Sequence, residues 1–288
     1  MDPRVFSVFA TFLKDNSGLI VGPDKAYLLD SRLGPISEAH GCHNITELAL
    51  KLQNAPTLAL KTDIIEAMTT NETSFFRDNT PFETFKKHVL PELMEKRKIQ
   101  RSLRILCAAS SSGQEPYSLA LTLAEAKIAA EGWKTEILGI DLDAKILKKA
   151  EQGIYSQFEV QRGLPVTMMM KYFTPNTDKT WALKPEIRSM VKFKQRNLLH
   201  PVSDLGTFDV IFCRNVLIYF DAPTKTKVLE RLAAQMSPDG FLFLGGSETV
   251  LDLTNKLAAA PSQRGVYRLA KPGTVANTGA GTGARLAA

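Results

Sequence analysis

Residues Leu103 to Leu121 read LRILCAASSSGQEPYSLAL, an apolar run followed by a turn of small residues and then by a second apolar run. The first run is short and bounded by turn residues, which is typical of a strand buried in a parallel sheet. The second run predicts a helix. Between them Ala108 to Gly113 are all small, so backbone N–H groups and the positive end of the helix can approach a ligand closely. The pattern predicts a nucleotide-type site at this turn.

Glu115 lies in the first turn of the predicted helix and distinguishes this site from a phosphate cradle. A carboxylate repels phosphate, whereas it attracts a ligand that carries an ammonium or sulfonium group. Ser110, Ser111 and Ser112 also occupy positions where a dinucleotide fingerprint has glycines, which weakens the phosphate interpretation. The alternative is a structural strand-to-helix turn in which the acidic residue interacts with the helix dipole.

The composition indicates a globular protein with an excess of basic residues. The chain has 288 residues, of which 44% are hydrophobic and 23% charged, and its formal net charge is +6. Such a charge favours an acidic partner. Because no Lys/Arg-rich block with interleaved aromatic residues occurs, we do not expect nucleic acid as that partner.

The spacing of the cysteines indicates reduced thiols, and the hydropathy pattern indicates a protein that is neither secreted nor inserted in a membrane. Cys42, Cys107 and Cys213 are widely separated, which argues against a disulfide framework or a zinc site, and we expect no metal. The first residues lack the pattern of a signal peptide, and no apolar run approaches membrane-spanning length. We therefore expect a cytoplasmic protein without direct membrane insertion.

Apolar spacing and turn residues divide the chain into parts. Residues 1–70 show helical spacing, and 71–101 form a linker and a bridging amphipathic helix. Strands and helices alternate over 102–271, which predicts an α/β domain with a doubly wound, mostly parallel sheet. Short strand-like runs predict a small antiparallel insert at about 172–194. The Gly-, Thr- and Ala-rich tail over 272–288 is predicted to be disordered.

Asp141 ends the second predicted strand and is a candidate ligand for a ribose. An acidic residue at this position of a doubly wound sheet can accept hydrogen bonds from both ribose hydroxyls. Two alternatives stay open. Asp141 can be a strand-end or helix-capping residue, with Asp143 as a candidate N-cap, and a nicotinamide dehydrogenase would also place an acidic residue here.

Two further segments carry polar residues next to the predicted site. One reads TNETSFFR from Thr70 to Arg77, and the other reads CRNVLIYF from Cys213 to Phe220, directly after an apolar strand. Together with the run from Glu115 to Ser118, these segments make the chain resemble the chemotaxis receptor methyltransferases of the CheR type. The resemblance extends from the first helix to about Leu269.

The resemblance implies a sheet of the S-adenosylmethionine-dependent methyltransferase type. It implies transfer of the cofactor's methyl group to glutamate side chains of chemoreceptors, which leaves S-adenosylhomocysteine and a glutamyl methyl ester. The implied cofactor-binding residues are Asn71, Thr73, Arg77, Glu115, Asp141, Asn197, Leu198, Asn215 and Val216. Arg77 and Tyr219 are implied to lie beside the reacting carboxylate as the catalytic residues.

The resemblance also implies a partner. The helical part is expected to dock on the acidic, glutamate-bearing cytoplasmic helices of chemoreceptors, with Arg32 as a basic contact and with recruitment to membrane receptor arrays. The sequence departs from the family at Gly34, Pro35 and Glu38, where more basic relatives continue with arginines. The turn over 174–178 has no glycine, which argues against tethering through a receptor pentapeptide.

A glutamate carboxylate has an unperturbed pKa of about 4.3 and is ionised at neutral pH, so methyl transfer to it needs no general base. Arg77 can bind the spare carboxylate oxygen, and the Tyr219 hydroxyl is a second orienting group. A domain-bridging salt bridge is the alternative role for Arg77. Two other functions stay open: a methyltransferase that acts on a different protein, and a non-catalytic receptor scaffold that senses S-adenosylmethionine or S-adenosylhomocysteine.

Overall fold

The computed structural model describes residues 1–271, and the tail predicted to be disordered lies outside the described residues. The α-helices are α1 Pro3–Ser17, α2 Ala26–Ala39, α3 Ile45–Asn54, α4 Leu58–Met68, α5 Thr80–Thr84, α6 Leu90–Lys96, α7 Gln114–Glu125, α8 Ala144–Gln152, α9 Gln157–Gln161, α10 Val166–Tyr172, α11 Pro185–Arg188 and α12 Ala222–Ala234. The strands are β1 Ser102–Ala108, β2 Lys134–Asp141, β3 Ile154–Ser156, β4 Phe173–Pro175, β5 Thr180–Leu183, β6 Val191–Gln195, β7 Phe208–Cys213, β8 Met236–Leu244, β9 Leu257–Ala259 and β10 Val266–Leu269. Over residues 1–271, no helix combines the length and the apolar character needed to cross a membrane.

The four N-terminal helices form a separate small core, as the helical spacing predicts. Asp2, Asn44 and Thr57 precede α1, α3 and α4, and each side chain accepts a hydrogen bond from a free backbone N–H of the following helix. The apolar faces of the four helices meet in one buried cluster that includes Phe9, Leu13, Leu29, Leu33, Leu48, Leu52, Leu60 and Ile64. This part is all-helical in the structure.

Arg32 lies on α2, but its guanidinium is engaged within the chain. Its Nη1 donates to the backbone carbonyls of Met68 at 3.1 Å and Thr69 at 3.0 Å, at the carboxyl end of α4. Carbonyls at this end of a helix have no partner within the helix, and the helix dipole favours a cation there. The resemblance implies Arg32 as a basic contact for a partner, and the structure shows that the same side chain also caps α4.

The main sheet has seven strands in the order β6, β2, β1, β7, β8, β10, β9. Five of them are parallel neighbours, with β1 between β2 and β7, while β10 is antiparallel to both β8 and β9. The strands β2 and β6 lie on one side of β1, whereas β7 and β8 lie on the other. The strand order therefore reverses at β1, and a crevice forms there at the carboxyl ends of the strands. The predicted doubly wound, mostly parallel α/β sheet is confirmed.

The small antiparallel sheet differs in extent from the predicted insert at about 172–194. Its central strand is β5, which pairs with β3 on one side and β4 on the other. The first strand, Ile154–Ser156, lies before the predicted insert, whereas Val191–Gln195 pairs with β2 in the main sheet. A strand of three residues is too short to show an alternating pattern, so its apolar spacing could not reveal it.

Contacts between the helical part and the sheet domain lie beside the crevice. Lys14 Nζ forms an ion pair with Asp221 Oδ2 at 2.9 Å, and the backbone N–H of Ile20 donates to the carbonyl of Tyr219 at 2.9 Å. Lys145 Nζ reaches Asp63 Oδ1 on α4 at 3.0 Å. These contacts hold the helical part as one wall of the crevice.

Asp221 supplies a pH-dependent contribution to stability. Its side chain caps α12 and pairs with Lys14, and the hydrogen bond from Thr224 is the main cause that lowers the pKa of Asp221 to about 2. Because the folded-state pKa is depressed, the carboxylate stabilises the folded state above its unperturbed pKa of about 3.9, and this stabilisation is lost as the pH falls toward about 2. We expect the stability difference between the wild type and Asp221→Asn to be constant near neutral pH and to shrink in acid. Urea denaturation at a series of pH values measures it, and a difference that does not change in acid would contradict this origin.

Candidate active site

A cavity of about 1040 Å³, including its open mouth, lies at the carboxyl ends of the parallel strands against the helical part. Loops that follow β1, β2, β6 and β7 line it, together with the linker after α4. All ten residues predicted for the site line this cavity: Asn71, Thr73, Arg77, Glu115, Asp141, Asn197, Leu198, Asn215, Val216 and Tyr219. The structure therefore brings together residues that are separated by more than a hundred positions in the sequence.

Asp141 is buried at the end of β2 and joins it to the turn after β1. Its Oδ2 accepts the backbone N–H of Ser111 at 2.8 Å, and its Oδ1 accepts the backbone N–H of Asp143 at 3.0 Å. Burial raises the pKa of Asp141, while these backbone hydrogen bonds act in the opposite direction. Because each carboxylate oxygen has two lone pairs, Asp141 can still accept a hydroxyl donor from the cavity.

The linker is fixed to the same turn by side-chain hydrogen bonds. Asn71 Nδ2 donates to Asp143 Oδ2 at 2.8 Å, and Ser111 Oγ donates to the carbonyl of Asn71 at 2.7 Å. The other oxygen of Asp143 accepts the backbone N–H groups of Lys145 and Ile146, which confirms its predicted N-cap role for α8. Asn71 therefore contributes to the cavity wall from a defined position.

Glu115 is buried at the start of α7 and is paired with an arginine that the sequence analysis missed. Arg214 Nη1 donates to Glu115 Oε2 at 2.9 Å, and the Arg214 side chain is only 1% exposed. Burial raises the pKa of Glu115, while the charge and hydrogen bond of Arg214 oppose that shift. A carboxylate at the cavity wall is thus kept next to a fixed cation.

Arg214 also contacts the linker that carries Arg77. Its Nη2 donates to the carbonyl of Arg77 at 3.0 Å and to Asp78 Oδ2 at 2.6 Å. A signal for Arg214 was present in the sequence, since it directly follows the fully buried strand β7 and a charged residue there needs partners. Which partners it finds depends on the tertiary fold.

Arg77 and Tyr219 face the cavity from opposite parts of the chain. Arg77 Nη1 donates to the carbonyl of Glu72 at 3.0 Å, and the guanidinium charge acts to lower the pKa of Glu115. Within residues 1–271 no carboxylate lies at ion-pair distance from Arg77, so the structure does not support the domain-bridging salt bridge as its role. The backbone carbonyl of Tyr219 is held by Ile20 from the helical part.

Asn197, Leu198 and Val216 contribute polar and apolar side chains to the cavity wall. Asn197 Nδ2 donates to the carbonyl of Asn16 at 2.7 Å, and its Oδ1 accepts the backbone N–H of Leu199 at 2.9 Å. Leu198 and Val216 line the cavity while packing against the apolar core beneath the sheet. These two side chains give the cavity an apolar surface suited to a flat ring.

Glu248 is a second residue that the sequence analysis missed, and it holds the loop that carries Asn215 and Val216. Its Oε2 accepts the backbone N–H groups of Asn215 at 2.9 Å and Gly245 at 2.7 Å. Its Oε1 accepts those of Val216 at 3.0 Å and Leu217 at 2.8 Å. One buried carboxylate therefore satisfies four donors after β7 and β8.

We expect Glu248→Gln to lower the free energy of unfolding by about 2 to 4 kcal/mol, because the amide NH₂ would face two backbone N–H donors that lose their acceptor. Urea denaturation measures the loss. Glu230→Gln is the matched control, since Glu230 pairs with Lys256 at the surface. Loss of this ion pair should lower the free energy of unfolding by about 0.5 kcal/mol or less. Equal stability of the two variants would contradict the role given to Glu248.

The donor set fits one kind of ligand. Among residues 1–271 no group of three or more His, Cys, Asp or Glu side chains is arranged to hold a metal ion, and the side chains that line the cavity include no histidine. Buried carboxylates at Glu115 and Asp141 suit an ammonium group and ribose hydroxyls. Apolar lining side chains such as Leu198 and Val216 suit a base.

The strand order, with antiparallel β10 inserted between β8 and β9, and the cavity at the switch point fit the class of S-adenosylmethionine-dependent methyltransferases. A family model described as "CheR methyltransferase, SAM binding domain" matches residues 71–266. The chain belongs to the CheR methyltransferase family, and S-adenosylmethionine is its cofactor. This assignment excludes the dehydrogenase alternative.

Similar proteins match over almost their whole length. The chain is 39% identical over 269 residues to "Chemotaxis protein methyltransferase Cher2" of Pseudomonas putida, with 92% of this chain and 98% of that protein covered. It is 40% identical to "Chemotaxis protein methyltransferase 1" of Pseudomonas aeruginosa, with 92% and 97% covered. It is 37% identical to the protein of that name in Vibrio cholerae, with 91% and 95% covered. The similarity therefore includes the helical part as well as the sheet domain.

Proposed function

We propose that this protein transfers the methyl group of S-adenosylmethionine to glutamate side chains in the cytoplasmic helices of chemoreceptors. The products are glutamyl methyl esters and S-adenosylhomocysteine. The observation that carries the proposal is that one cavity collects residues from all three motifs on which the family resemblance rests. The names of the relatives support a substrate that belongs to chemotaxis.

The cofactor-binding roles follow from the chemistry of each wall. Because Oε2 of Glu115 is occupied by Arg214, we assign its Oε1 to the ammonium group of the methionyl part. Asp141 accepts the ribose hydroxyls, and Leu198 and Val216 enclose the adenine. Further cofactor contacts come from the linker residues Asn71, Thr73 and Arg77 and from the amide-bearing Asn197 and Asn215.

The reaction needs orientation more than proton transfer. The bound cofactor supplies a methyl group activated by an adjacent sulfonium. Arg77 holds the spare oxygen of the substrate carboxylate, and the Tyr219 hydroxyl fixes the direction from which the other oxygen attacks. Since an anion reacts with a cation, exclusion of water by the cavity walls favours the neutralisation of charge.

The helical part is the proposed docking region for the receptor, because it forms one wall of the cavity. Arg32 stays a candidate basic contact in this region, and its Nη1 also caps α4. The proposal includes no pentapeptide tether. In the turn between β4 and β5, Lys179 has a φ of 64°, a left-handed conformation in which glycine is favoured, and the turn contains no glycine.

The proposal is tested by incubating the full-length protein with S-adenosylmethionine labelled in the methyl group and a purified cytoplasmic chemoreceptor fragment. We expect the label to enter the fragment and to stop when its candidate glutamates are replaced by alanine.

Two outcomes would separate the alternative functions. Tight cofactor binding with no label in any receptor fragment would favour a non-catalytic sensor. Label in another protein, but not in receptor fragments, would favour a methyltransferase with a different substrate.

A further inference from the structure

The turn that carries Arg77 has an unusual backbone. Phe76, Asp78 and Asn79 have positive φ angles of 49°, 65° and 47°, and residues other than glycine rarely adopt such backbone angles. Such residues need surrounding contacts to keep them in place, and they concentrate at functional sites. The conformation of this turn determines where Arg77 enters the cavity.

One buried guanidinium supplies two of the contacts that hold the turn. The others include the backbone N–H of Phe76, which donates to Ser118 Oγ at 2.9 Å, and that of Asn79, which donates to the carbonyl of Phe76 at 2.7 Å. Arg214 Nη2 donates both to the carbonyl of Arg77 and to the carboxylate of Asp78, at 3.0 Å and 2.6 Å. The same side chain is fixed from the other direction by Glu115. Arg214 thus joins the turn to the floor of the cavity through two hydrogen bonds on consecutive residues.

Asp78 itself stands outside the cavity. Its side chain is 54% exposed, and it does not belong to the residues that line the cavity. Its only described ion pair is to Arg214, within residues 1–271. Any effect of Asp78 on the reaction must therefore pass through the turn and through Arg214.

We propose that Asp78 is a positioning residue for Arg77. By pairing with Arg214 it keeps the left-handed turn in the one conformation that presents the Arg77 guanidinium to the substrate carboxylate. A second carboxylate on Arg214 also prevents that guanidinium from moving entirely toward Glu115. The inference rests on the proposed methyl transfer to a carboxylate, because it assigns Asp78 to the step that Arg77 serves.

Asp78→Asn tests this inference in two backgrounds, the wild type and Arg77→Ala. Asparagine tolerates the left-handed conformation as well as aspartate does, so the substitution removes mainly the charge. In the wild-type background we expect kcat for methylation of a receptor fragment to fall by about 10- to 100-fold, as misplacement of a reacting group does. The dissociation constant for S-adenosylhomocysteine should change by about 2-fold or less, because the cofactor contacts assigned to Glu115 and Asp141 remain.

In the Arg77→Ala background the same substitution should change kcat by about 2-fold or less, because the group that Asp78 positions is gone. Glu83→Gln is the matched control, since Glu83 lies a few residues further on and, among residues 1–271, its ion pair is with Lys87 at the surface. It should change neither kcat nor cofactor affinity.

An unchanged kcat for Asp78→Asn would overturn the inference, and so would an equal loss in both backgrounds, which would indicate a merely structural role. If Asp78→Asn does not fold, Asp78→Glu is measured instead in the same two backgrounds. Glutamate keeps the charge but displaces the carboxylate, so an intermediate loss of kcat confined to the wild-type background is expected. Failure of the unmodified protein to methylate any receptor fragment would instead contradict the proposed function.

Discussion

Replacing Arg77 by alanine is expected to lower kcat for receptor methylation by about 100- to 1000-fold, the loss typical when one preorganised donor is removed from an active site. Arg77 lines the cavity and forms no ion pair to a carboxylate within residues 1–271, so its guanidinium is available to a substrate carboxylate. Without it the nucleophilic oxygen has no fixed orientation. Single-turnover methylation at saturating cofactor measures the effect.

Arg162→Ala is the matched control for this variant. Arg162 pairs with Glu72 of the same linker at 2.5 Å, and Arg162 itself does not line the cavity. We expect its kcat to stay close to that of the wild type. A kcat of Arg77→Ala equal to that of Arg162→Ala, at normal cofactor affinity, would contradict the catalytic role of Arg77.

Replacing Arg214 by methionine is expected to lower the free energy of unfolding by about 3 to 5 kcal/mol, because it leaves the buried carboxylate of Glu115 without its counter-charge. The double variant Arg214→Met/Glu115→Gln should recover a large part of this loss, since no unpaired buried charge remains. Urea denaturation of the two variants and the wild type measures the difference.

The loss of unfolding free energy in Arg214→Met should be larger at neutral pH than in mild acid. Burial already raises the pKa of Glu115 in the wild type, and removal of Arg214 removes the main opposing cause. A carboxyl group with a raised folded-state pKa stabilises the folded state in acid, and that contribution is lost as the pH rises through the folded-state pKa. The variant should therefore be closest to the wild type in mild acid and least stable at neutral pH. A loss that is independent of pH would contradict the pairing as its origin.

The sequence allowed the prediction of elements whose pattern is local. The apolar run that becomes β1 and the buried run that becomes β7 are bounded by turn residues, and both were predicted as strands of a parallel sheet. Glu115 and Asp141 could be predicted as cavity residues because residues after parallel strands converge at one edge of the sheet, whereas the family resemblance supplied the other lining positions. Asp143 was recognised as an N-cap for the same local reason.

Features that depend on tertiary contacts could not be predicted. The cap that Arg32 gives to α4 is one example, because nothing in its neighbourhood in the sequence indicates that the end of α4 lies beside it. Glu248 lies 33 residues after Asn215, whose backbone N–H it accepts, so no spacing rule connects them. The three-residue strand β3 acquires its conformation from β5, which is 24 or more residues later in the chain.

The proposed glutamyl methyl ester can be tested directly by its lability to alkali. After transfer of labelled methyl to a receptor fragment, mild alkali should release the label as volatile methanol, because a carboxyl methyl ester is hydrolysed while N-methyl and ether O-methyl groups are stable. Release of the label, and its absence when the receptor glutamates are replaced by alanine, is the result we expect. Label that remains on the protein after alkali would contradict the transfer of a methyl group to a glutamate carboxylate.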